Sequence, residues 1–536
     1  MGMDAPLPLK SRPVRVAPPM LDRSGEPAEN AGVRLIGRDV FMIGIGGCGM
    51  SGLARLASRL GARVGGCDGQ FSPVTEALGK DGIGVVPEAD AKSLPEACDL
   101  VIASAAVRET HPLVIEAKAR GVPVLRYAEA LGELMRRSTG VAIAGTHGKS
   151  TTTAMLGATL VDLGLDPSVI VGASCSQLAG GSIGSPVFAS PSGHRVGAEL
   201  IPAGSYSGRP GLLLAEACEF NRSFHNLAPT IASIASVEED HLDIYGSIDE
   251  IITAFNAFAR LLPPAEEGGY LLIAHQGAHR EKVTAGVKAK VETIGFAPGA
   301  DWTVDFDASE QMVSLSRKGE LLARWKSRMP GDHNAMNAAT ALALAIHLGG
   351  DAEAGARSLA QFRGIDRRCQ WLGDRRVSGG GAVRVYDDYG HHPTEIDATL
   401  RALRGREKPQ ERGGRLICVF QPHQHSRTRF LLEEFASAFS QADIVIVPHI
   451  YFVRDTEAEK HLVTAGDLVD RLRDRGVRAM HLYPFGAIVE QLENLCREND
   501  LLVVMGAGPV WQVARDYLAT GPAPVHASVH APGSKA

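Results

Sequence analysis

The stretch GVAIAGTHGKSTTT, residues 140–153, passes from an apolar strand through a glycine-rich turn into a row of hydroxyl side chains. The phosphate-loop pattern G-x-x-x-x-G-K-[ST] requires a glycine five positions before Gly148, but this chain has Ile143 there, so its loop is a shortened variant. Gly145 and Gly148 still allow backbone N–H groups to point inward, and Lys149 places an ammonium at the start of the next helix. The stretch predicts a site for a nucleotide triphosphate, with a plain strand-to-helix turn and a surface lysine as the alternative.

Four hydroxyl residues, Ser150–Thr153, follow that lysine. They are poor helix formers, so a helix that begins with them indicates a purpose other than helix stability. The residue directly after the lysine, Ser150, stands where a phosphate loop places its magnesium ligand. This run favours the phosphate interpretation over the plain turn.

Length and composition narrow the class of protein. The chain has 536 residues, 45% of them hydrophobic and 22% charged, which is ordinary for a globular protein of about three or four domains. The net charge of −6 provides no general attraction to nucleic acid or to an anionic membrane, so we expect neither as a partner. No run of about 18 apolar residues is present, and residues 1–19 have no apolar core typical of a signal peptide. We therefore expect a cytoplasmic protein.

The eight cysteines are scattered along the chain and form no C-x-x-C pair. Their spacing argues against a zinc site and against a disulfide framework. We expect buried thiols in a reducing compartment. The cysteines are at positions 48, 67, 98, 175, 218, 369, 418 and 496.

A first module is predicted over residues 38–137. The segment 39–68 alternates an apolar strand, a glycine turn, a helix and a second strand, and the apolar runs 100–105 and 122–125 extend it as a parallel sheet. Four residues match the dinucleotide-binding fingerprint: Gly44, Gly46, Gly49 and Asp68. By itself this pattern is compatible with a nicotinamide, a flavin or any diphosphate such as a nucleotide sugar.

A second module, predicted over residues 138–363, contains the phosphate loop. Its strand candidates 212–217 and 230–236 carry polar side chains at their carboxyl ends, where open α/β sheets bind ligands. These side chains are Glu216, Glu219, Glu238, Glu239, Asp240, His241 and Asp243. Residues 173–212 include a stretch rich in glycine, serine and proline that we interpret as a long surface insertion.

A third module is predicted over residues 364–520, again with alternating strands and helices. Its strand candidates are 383–390, 415–420, 443–447 and 501–508. Residues 1–37 and 521–536 are expected to be flexible extensions. The predicted fold is α/β with three domains: Rossmann-like, P-loop-type nucleotide-binding, and Rossmann-like. Two α/β domains beside a nucleotide domain favour an enzyme with a cleft over a scaffold.

Seven motifs together resemble the Mur ligases of bacterial cell-wall synthesis, in the order of that family and over roughly residues 38–520. The motifs are GTHGKSTT, LLLAEACEF, SVEEDHLDIYG, GDHNAMNAATA, FRGIDRR, VYDDYGHHPTEI and FQPHQHSRTR. The last two resemble the alanine-adding branch in particular. The resemblance implies an ATP-dependent ligase that joins L-alanine to UDP-N-acetylmuramate through an acyl phosphate. It also implies that the N-terminal glycine turn holds the diphosphate of a UDP-sugar.

The resemblance implies an ATP site and a metal site. ATP as co-substrate would contact Gly145, Thr146, His147, Gly148, Lys149, Ser150, Thr151, Asn334, Asn337, Arg367, Arg368 and Asp388. Two Mg²⁺ ions, or Mn²⁺ in their place, would be held by Ser150, Glu216 and His241. Simpler interpretations remain open: a surface carboxylate at Glu216, a helix-start residue at His241, N-capping by Asp332 or Asn334, and a surface arginine pair at 367–368.

The resemblance also assigns the two remaining substrates. The UDP-sugar would contact Gly44, Gly46, Gly47, Gly49, Met50, Ser51, Asp68 and Ser104. The amino acid would contact Tyr389, His391, His423 and Arg427, and the catalytic groups would be Lys149, His391 and Arg427. Many relatives have an arginine where this chain has Gln424, so we expect Arg427 with His391 to hold the amino acid.

Other functions are weighed against the ligase. A dehydrogenase would leave the phosphate loop and the acidic strand ends without a purpose. A recycling ligase that attaches a tripeptide to the same sugar, a folate polyglutamate ligase, and a non-catalytic UDP-sugar sensor are the alternatives. Either a monomer or a homodimer is compatible with the sequence.

Overall fold

The computed structural model describes residues 35, 37–179, 211–377 and 380–520. The predicted extension 1–37 lies almost wholly outside these residues, as do most of the predicted insertion and all of the tail 521–536. Within the described part of the chain, no helix is long and apolar enough to cross a membrane.

The N-terminal unit is a parallel five-stranded sheet in the order β3-β2-β1-β4-β5. Its elements are β1 (Asp39–Ile43), α1 (Cys48–Arg59), β2 (Arg63–Asp68), α2 (Pro73–Lys80), β3 (Gly84–Pro87), β4 (Leu100–Ala103), α3 (Pro112–Ala119), β5 (Val124–Arg126) and α4 (Tyr127–Met135). The turn after β1 depends on Gly44, which has a φ of +75°. A Cβ there would lie 3.0 Å from Cβ of Ser104, so a side chain would meet both backbone strain and a clash.

The central unit is a nine-stranded sheet in the order β14-β13-β12-β11-β10-β9-β6-β8-β7. Its elements are β6 (Thr139–Ala144), α5 (Lys149–Asp162), β7 (Ser168–Ile170), α6 (Ser176–Ala179), β8 (Leu212–Glu216), β9 (Ile231–Ile234), α7 (Leu242–Tyr245), α8 (Ile248–Ala259), β10 (Tyr270–Ala274), α9 (Arg280–Thr284), β11 (Lys290–Gly295), β12 (Trp302–Asp307), β13 (Met312–Arg317), β14 (Glu320–Lys326), α10 (Asp332–His347) and α11 (Ala352–Gln361). Strands β12, β13 and β14 pair antiparallel, an extension that the sequence analysis does not predict.

The order of these strands brings the polar strand ends to the phosphate loop. Strand β6 lies between β8 and β9 and runs parallel to both. Ile143, just before the loop, is in register with Glu216 on β8 and with Ser233 on β9. The acidic residues that follow β8 and β9 therefore surround the loop at one edge of the sheet.

The C-terminal unit is a six-stranded sheet in the order β15-β16-β20-β17-β18-β19, parallel apart from the edge strand β15. Its elements are β15 (Gln370–Arg376), β16 (Ala382–Asp388), α12 (Pro393–Glu407), β17 (Leu416–Phe420), α13 (His425–Phe430), α14 (Leu432–Ser437), β18 (Ile444–Val447), α15 (Ala465–Asp474), β19 (Arg478–His481), α16 (Phe485–Leu495), β20 (Leu501–Met505) and α17 (Trp511–Ala519). Three α/β units, each with its own sheet, confirm the predicted fold class.

The cysteines follow the prediction only in part. All eight are free thiols, and Cys67, Cys98, Cys175, Cys418 and Cys496 are buried, with Cys369 half-buried. The expectation of burial is wrong for Cys48 and Cys218, which are exposed. Cys48 is the first residue of α1, and Cys218 lies two residues after the end of β8.

Candidate active site

A cavity of about 250 Å³ lies between the central and C-terminal units. Its walls come from the phosphate loop, the segment after β9, the first turns of α10, and the C-terminal segments around residue 368, at Asp388 and at the start of α12. Gly148 caps α5 with a φ of +81°, and a Cβ at this position would lie 2.5 Å from Oδ1 of Asn337. The loop therefore requires glycine for both its backbone conformation and its contact with α10.

The Lys149 ammonium lies inside the phosphate loop. It donates to the carbonyl oxygens of Gly145 and Thr146 at 2.6 and 3.0 Å. It also donates to Oε1 of Glu219 at 3.0 Å. Burial alone would lower the pKa of Lys149, but the charge of Glu219 outweighs it and the pKa is raised. The lysine is therefore charged. A phosphate bound in the loop could take the place of the carbonyl oxygens and of Glu219 as the acceptor of its hydrogen bonds.

The two asparagines of α10 face this loop. Asn334 donates to the carbonyl of Pro330 at 2.8 Å, and Asn337 accepts a hydrogen bond from the Thr152 hydroxyl at 3.2 Å. Gly331 is the N-cap of α10, and no side chain caps the helix there. The structure thus does not show the alternative of N-capping by Asp332 or Asn334, and both amides lie on the cavity wall.

The predicted arginine pair separates in the structure. Arg368 lines the cavity and pairs with Glu395 at 3.2 Å. Arg367 turns away, pairing with Asp387 at 3.1 Å and donating to the Gly506 carbonyl at 2.6 Å. Both guanidinium groups nevertheless lie over the Tyr389 ring, 5.0 and 5.3 Å from its centroid. Arg367 is not among the residues that line the cavity, and its contact with ATP stays a prediction.

His147 of the phosphate loop bridges the two units. Its Nδ1 lies 3.3 Å from Glu395 on α12 and its Nε2 lies 3.5 Å from Glu238, which follows β9. Burial alone would lower the pKa of His147, but the two carboxylates raise it to about 9. Thr394 on α12 donates to Glu238 at 2.7 Å across the same boundary. These contacts hold the cleft closed over the cavity.

The residues at the predicted metal site fit a divalent cation. Oε1 of Glu216 is buried and has no hydrogen-bond partner among the residues that the structure describes, and the Ser150 hydroxyl lies at the start of α5 on the cavity wall. His241 forms a cluster with Glu219 and Asp240 whose potential ligand atoms lie within 4.8 Å of one another. Burial lowers the pKa of His241 to about 4, so its imidazole is neutral and has a lone pair for a metal.

The amino-acid residues predicted for the C-terminal unit lie together. The His391 and His423 rings are 5.7 Å apart, and Tyr389 lies edge-on to His391 at 5.5 Å. Burial lowers the pKa of His391 to about 4 and that of His423 to about 3, so both rings are neutral. Nδ1 of His391 lies 3.2 Å from the Tyr389 carbonyl, which leaves Nε2 as an acceptor. Such a ring can accept a proton from an attacking amine.

Arg427 has a different environment from the one expected. Its Nε and Nη2 atoms both donate to Oδ1 of Asp240, at 3.0 and 2.7 Å, in a buried pair that joins the two units. Asp388 is likewise occupied, because its carboxylate accepts from the backbone N–H groups of Cys369 and Gly390 at 2.7 and 2.6 Å. Asp388 nevertheless lines the cavity.

The glycine turn of the N-terminal unit is held by Asp68. Its carboxylate accepts from the backbone N–H groups of Gly46 and Gln70 at 2.8 and 2.9 Å. Two of the residues predicted to contact the sugar, Met50 and Ser51, are buried. Among the predicted residues, the exposed or half-buried ones are Gly44, Gly46, Gly47, Gly49, Asp68 and Ser104.

Several residues at the cavity or on its border are not assigned to the site by the sequence analysis. They are Glu219, Glu238, Asp240, Thr394 and Glu395. The acidic ones after β8 and β9 were visible as strand-end carboxylates, but only Glu216 was chosen among them. The position of a carboxylate at a strand end does not indicate whether its side chain turns toward the phosphate loop, so the sequence could not identify the others.

Sequence models of three domain families match this chain in succession. They are described as Mur ligase family, catalytic domain (residues 39–139), Mur ligase middle domain (143–345), and Mur ligase, glutamate ligase domain (367–508). The UDP-N-acetylmuramate–L-alanine ligase of Agathobacter rectalis is 36% identical over 485 residues, 89% of this chain and 97% of that protein. The ligase of the same name from Geobacter sp. (strain M21) is 36% identical over 483 residues, 89% and 96% of the two chains.

Solved structures share the fold. The UDP-N-acetylmuramate-alanine ligase of Thermotoga maritima matches with a TM-score of 0.69 at 24% identity, covering 90% of this chain and 98% of that one. A murein peptide ligase from Psychrobacter arcticus matches with a TM-score of 0.63 at 23% identity, covering 90% and 98%. With three successive domain matches and full-length relatives at this identity, the chain belongs to the Mur ligase family.

Proposed function

We propose that this chain is an ATP-dependent ligase that joins L-alanine to UDP-N-acetylmuramate through an acyl-phosphate intermediate, in the synthesis of peptidoglycan precursors. The full-length relatives that carry this name support the assignment over the tripeptide-recycling ligase. One observation carries the chemistry: the phosphate loop and the start of α12 line the same cavity. A nucleotide bound there would be enclosed by the central and C-terminal units together.

Activation of the sugar carboxylate is the first step. An amine cannot displace an oxide ion, so ATP must first convert the carboxylate into an acyl phosphate. Two anions meet in this transfer, and fixed positive charge lowers its barrier. Lys149 and Arg368, both at the nucleotide cavity, would supply that charge. Asn334 and Asn337 would hold the adenine side of ATP.

Magnesium would be held at the carboxyl ends of β6 and β8. Ser150 and the unpartnered Glu216 would bind one ion, and the neutral His241 would contact a second, with Mn²⁺ able to take the same places. The ions would neutralise phosphate charge in the transfer.

Amide formation is the second step. The amine attacks the acyl carbon and phosphate leaves, and the Nε2 atom of His391, which has no proton when Nδ1 donates to the Tyr389 carbonyl, would take the proton that the amine loses. His423 and Tyr389 would line the amino-acid site beside it. Selection among amino-acid side chains depends on the volume of the site. One methyl group changes the substrate preference by only about 1–3 kcal/mol, or roughly 10–200-fold. We expect L-alanine as the preferred substrate, with glycine and L-serine slower.

The UDP-sugar would bind at the glycine turn of the N-terminal unit, with its diphosphate near the Gly46–Gly49 backbone.

We place the enzyme in the cytoplasm, where ATP and UDP-sugars are present. All proposed contacts come from one chain, so a monomer and a homodimer would both be active. Analytical ultracentrifugation distinguishes these two states.

The test is phosphate release with ATP, magnesium and UDP-N-acetylmuramate, supplying amino acids one at a time and confirming the amide by mass spectrometry. L-Alanine should give the highest kcat/KM. A faster reaction with a tripeptide would identify a recycling ligase instead. UDP-sugar binding without ATP turnover would identify a sensor, and tight NAD(P)H binding without a response to the UDP-sugar would restore the dehydrogenase interpretation.

A further inference from the structure

The arginines of the segment 421–429 are already paired. Nε and Nη2 of Arg427 are bonded to Asp240, and Nη1 lies 3.2 Å from Nδ1 of His423. Arg429 pairs with Glu459 at 3.3 Å. Gln424 is neutral and buried. A carboxylate entering beside His423 would therefore compete with Asp240 for Arg427, in a buried pair that is costly to break, and with Glu459 for Arg429.

The loop after β18 places another arginine at the same site. Tyr451 donates its backbone N–H to the Pro422 carbonyl at 2.8 Å, and its own carbonyl accepts from the backbone N–H of Gln424 at 3.1 Å. Four residues further on, Asp455 accepts from the Ser426 hydroxyl at 2.6 Å. The backbone is thus fixed to the segment 421–429 on both sides of Arg454.

Arg454 extends from this anchored loop toward the central unit. Its guanidinium carbon lies 4.4 Å from the ring centroid of Phe220, in a cation–π contact across the cleft. The Phe220 ring is in turn 5.1 Å from the ring of His241. Arg454 is exposed, and across residues 37–179, 211–377 and 380–520 no carboxylate lies within 4.0 Å of its guanidinium nitrogens.

Arg454 also lies close enough to His423, at the amino-acid site, for its charge to act on that ring. Burial is the main reason for the low pKa of His423, and the positive charges of Arg427 and Arg454 add to it. Because Arg454 has no carboxylate partner among the described residues, its guanidinium can bind an anion at this position.

We propose that Arg454 binds the α-carboxylate of the incoming amino acid and thereby takes the role of the arginine that this chain lacks at position 424. The inference rests on the proposed function. The planar guanidinium can grip a carboxylate through two parallel hydrogen bonds. The contact with Phe220 orients the Arg454 guanidinium before the substrate binds, so the side chain loses less conformational freedom on binding. Arg427 is left to join the two units rather than to bind the substrate.

The test separates the carboxylate from the rest of the amino acid. Arg454→Gln should lower kcat/KM for L-alanine by about 10- to 100-fold, the range for a hydrogen bond to a charged group. L-Alaninamide has no carboxylate, so its inhibition constant should be the same in variant and parent. The KM values for ATP and UDP-N-acetylmuramate should also be unchanged, and Arg454→Lys should recover part of the loss.

Lys460→Gln provides the matched control, because it removes a cation from the same loop that is already paired with Glu457 at 2.9 Å. It should behave like the parent. The proposal is overturned if Arg454→Gln retains the parental kcat/KM for L-alanine, or if binding of L-alanine and L-alaninamide weakens equally. A parent protein that turns over with no amino acid would count against the proposed function instead, before Arg454 is tested.

Discussion

Replacing Asp240 by asparagine should open the cleft between the central and C-terminal units. Asp240 and Arg427 form a buried pair, with side chains 9% and 6% exposed, although they lie 187 residues apart. Removing one partner of such a pair costs about 3–5 kcal/mol, because the remaining charge stays buried without compensation. In this protein the Arg427 guanidinium can be hydrated again if the two units separate. The loss of Asp240 should therefore weaken the association of the two units and leave the folding of each unit almost unchanged.

The expected size of the effect follows from that cost. Asparagine retains a hydrogen-bond acceptor, so we take the lower value of about 3 kcal/mol, which corresponds to roughly 100-fold in the closure equilibrium. The nucleotide cavity has walls from both units, and the amino-acid residues belong to the C-terminal unit. Asp240→Asn should therefore lower kcat/KM for ATP and for L-alanine by similar factors, with little change in the melting temperature of each unit.

Steady-state kinetics and small-angle scattering would measure this directly. The radius of gyration of Asp240→Asn should increase relative to the parent. Arg427→Ala should give the same pattern, and the double variant should be little worse than either single one, because both remove one interaction. The reasoning fails if the scattering is unchanged, or if Arg427→Ala affects only the KM for L-alanine.

Two further predictions concern the phosphate loop. Lys149→Ala should abolish phosphate release while leaving UDP-sugar affinity, measured by calorimetry, nearly unchanged; parental turnover would contradict the assigned role of the lysine. The bridge from His147 to Glu238 and Glu395 should be pH-dependent, because the two carboxylates raise the pKa of His147 to about 9 despite its burial. Its contribution is complete below about pH 6.5, the ordinary pKa of histidine, and is lost as the pH rises through about 9. The kcat/KM for ATP should fall over that alkaline window, and Glu395→Gln should move the fall to lower pH; identical profiles for variant and parent would exclude the bridge.

The local patterns of the sequence were sufficient for the three α/β units and for the phosphate loop. Apolar runs of strand length and glycine turns depend on neighbours along the chain, so β1, β6, β8, β9 and β16 could be predicted within a few residues of their observed bounds. The antiparallel strands β12–β14 and the edge strand β15 are not predicted from the sequence. β13 and β14 are joined by the two-residue turn Lys318–Gly319, but Lys-Gly is not one of the dipeptides that mark such hairpins in a sequence.

Only the tertiary structure decided which side chains meet. The sequence could not distinguish Glu219 from Glu216 as the partner of Lys149, or Arg368 from Arg367 as the arginine at the cavity. The Arg427–Asp240 pair and the position of Arg454 over Phe220 likewise join residues from different domains. Such contacts depend on how whole sheets are placed against each other and on which way each side chain turns at a strand end. Periodicity and spacing carry no information about either, because they describe only neighbours along the chain.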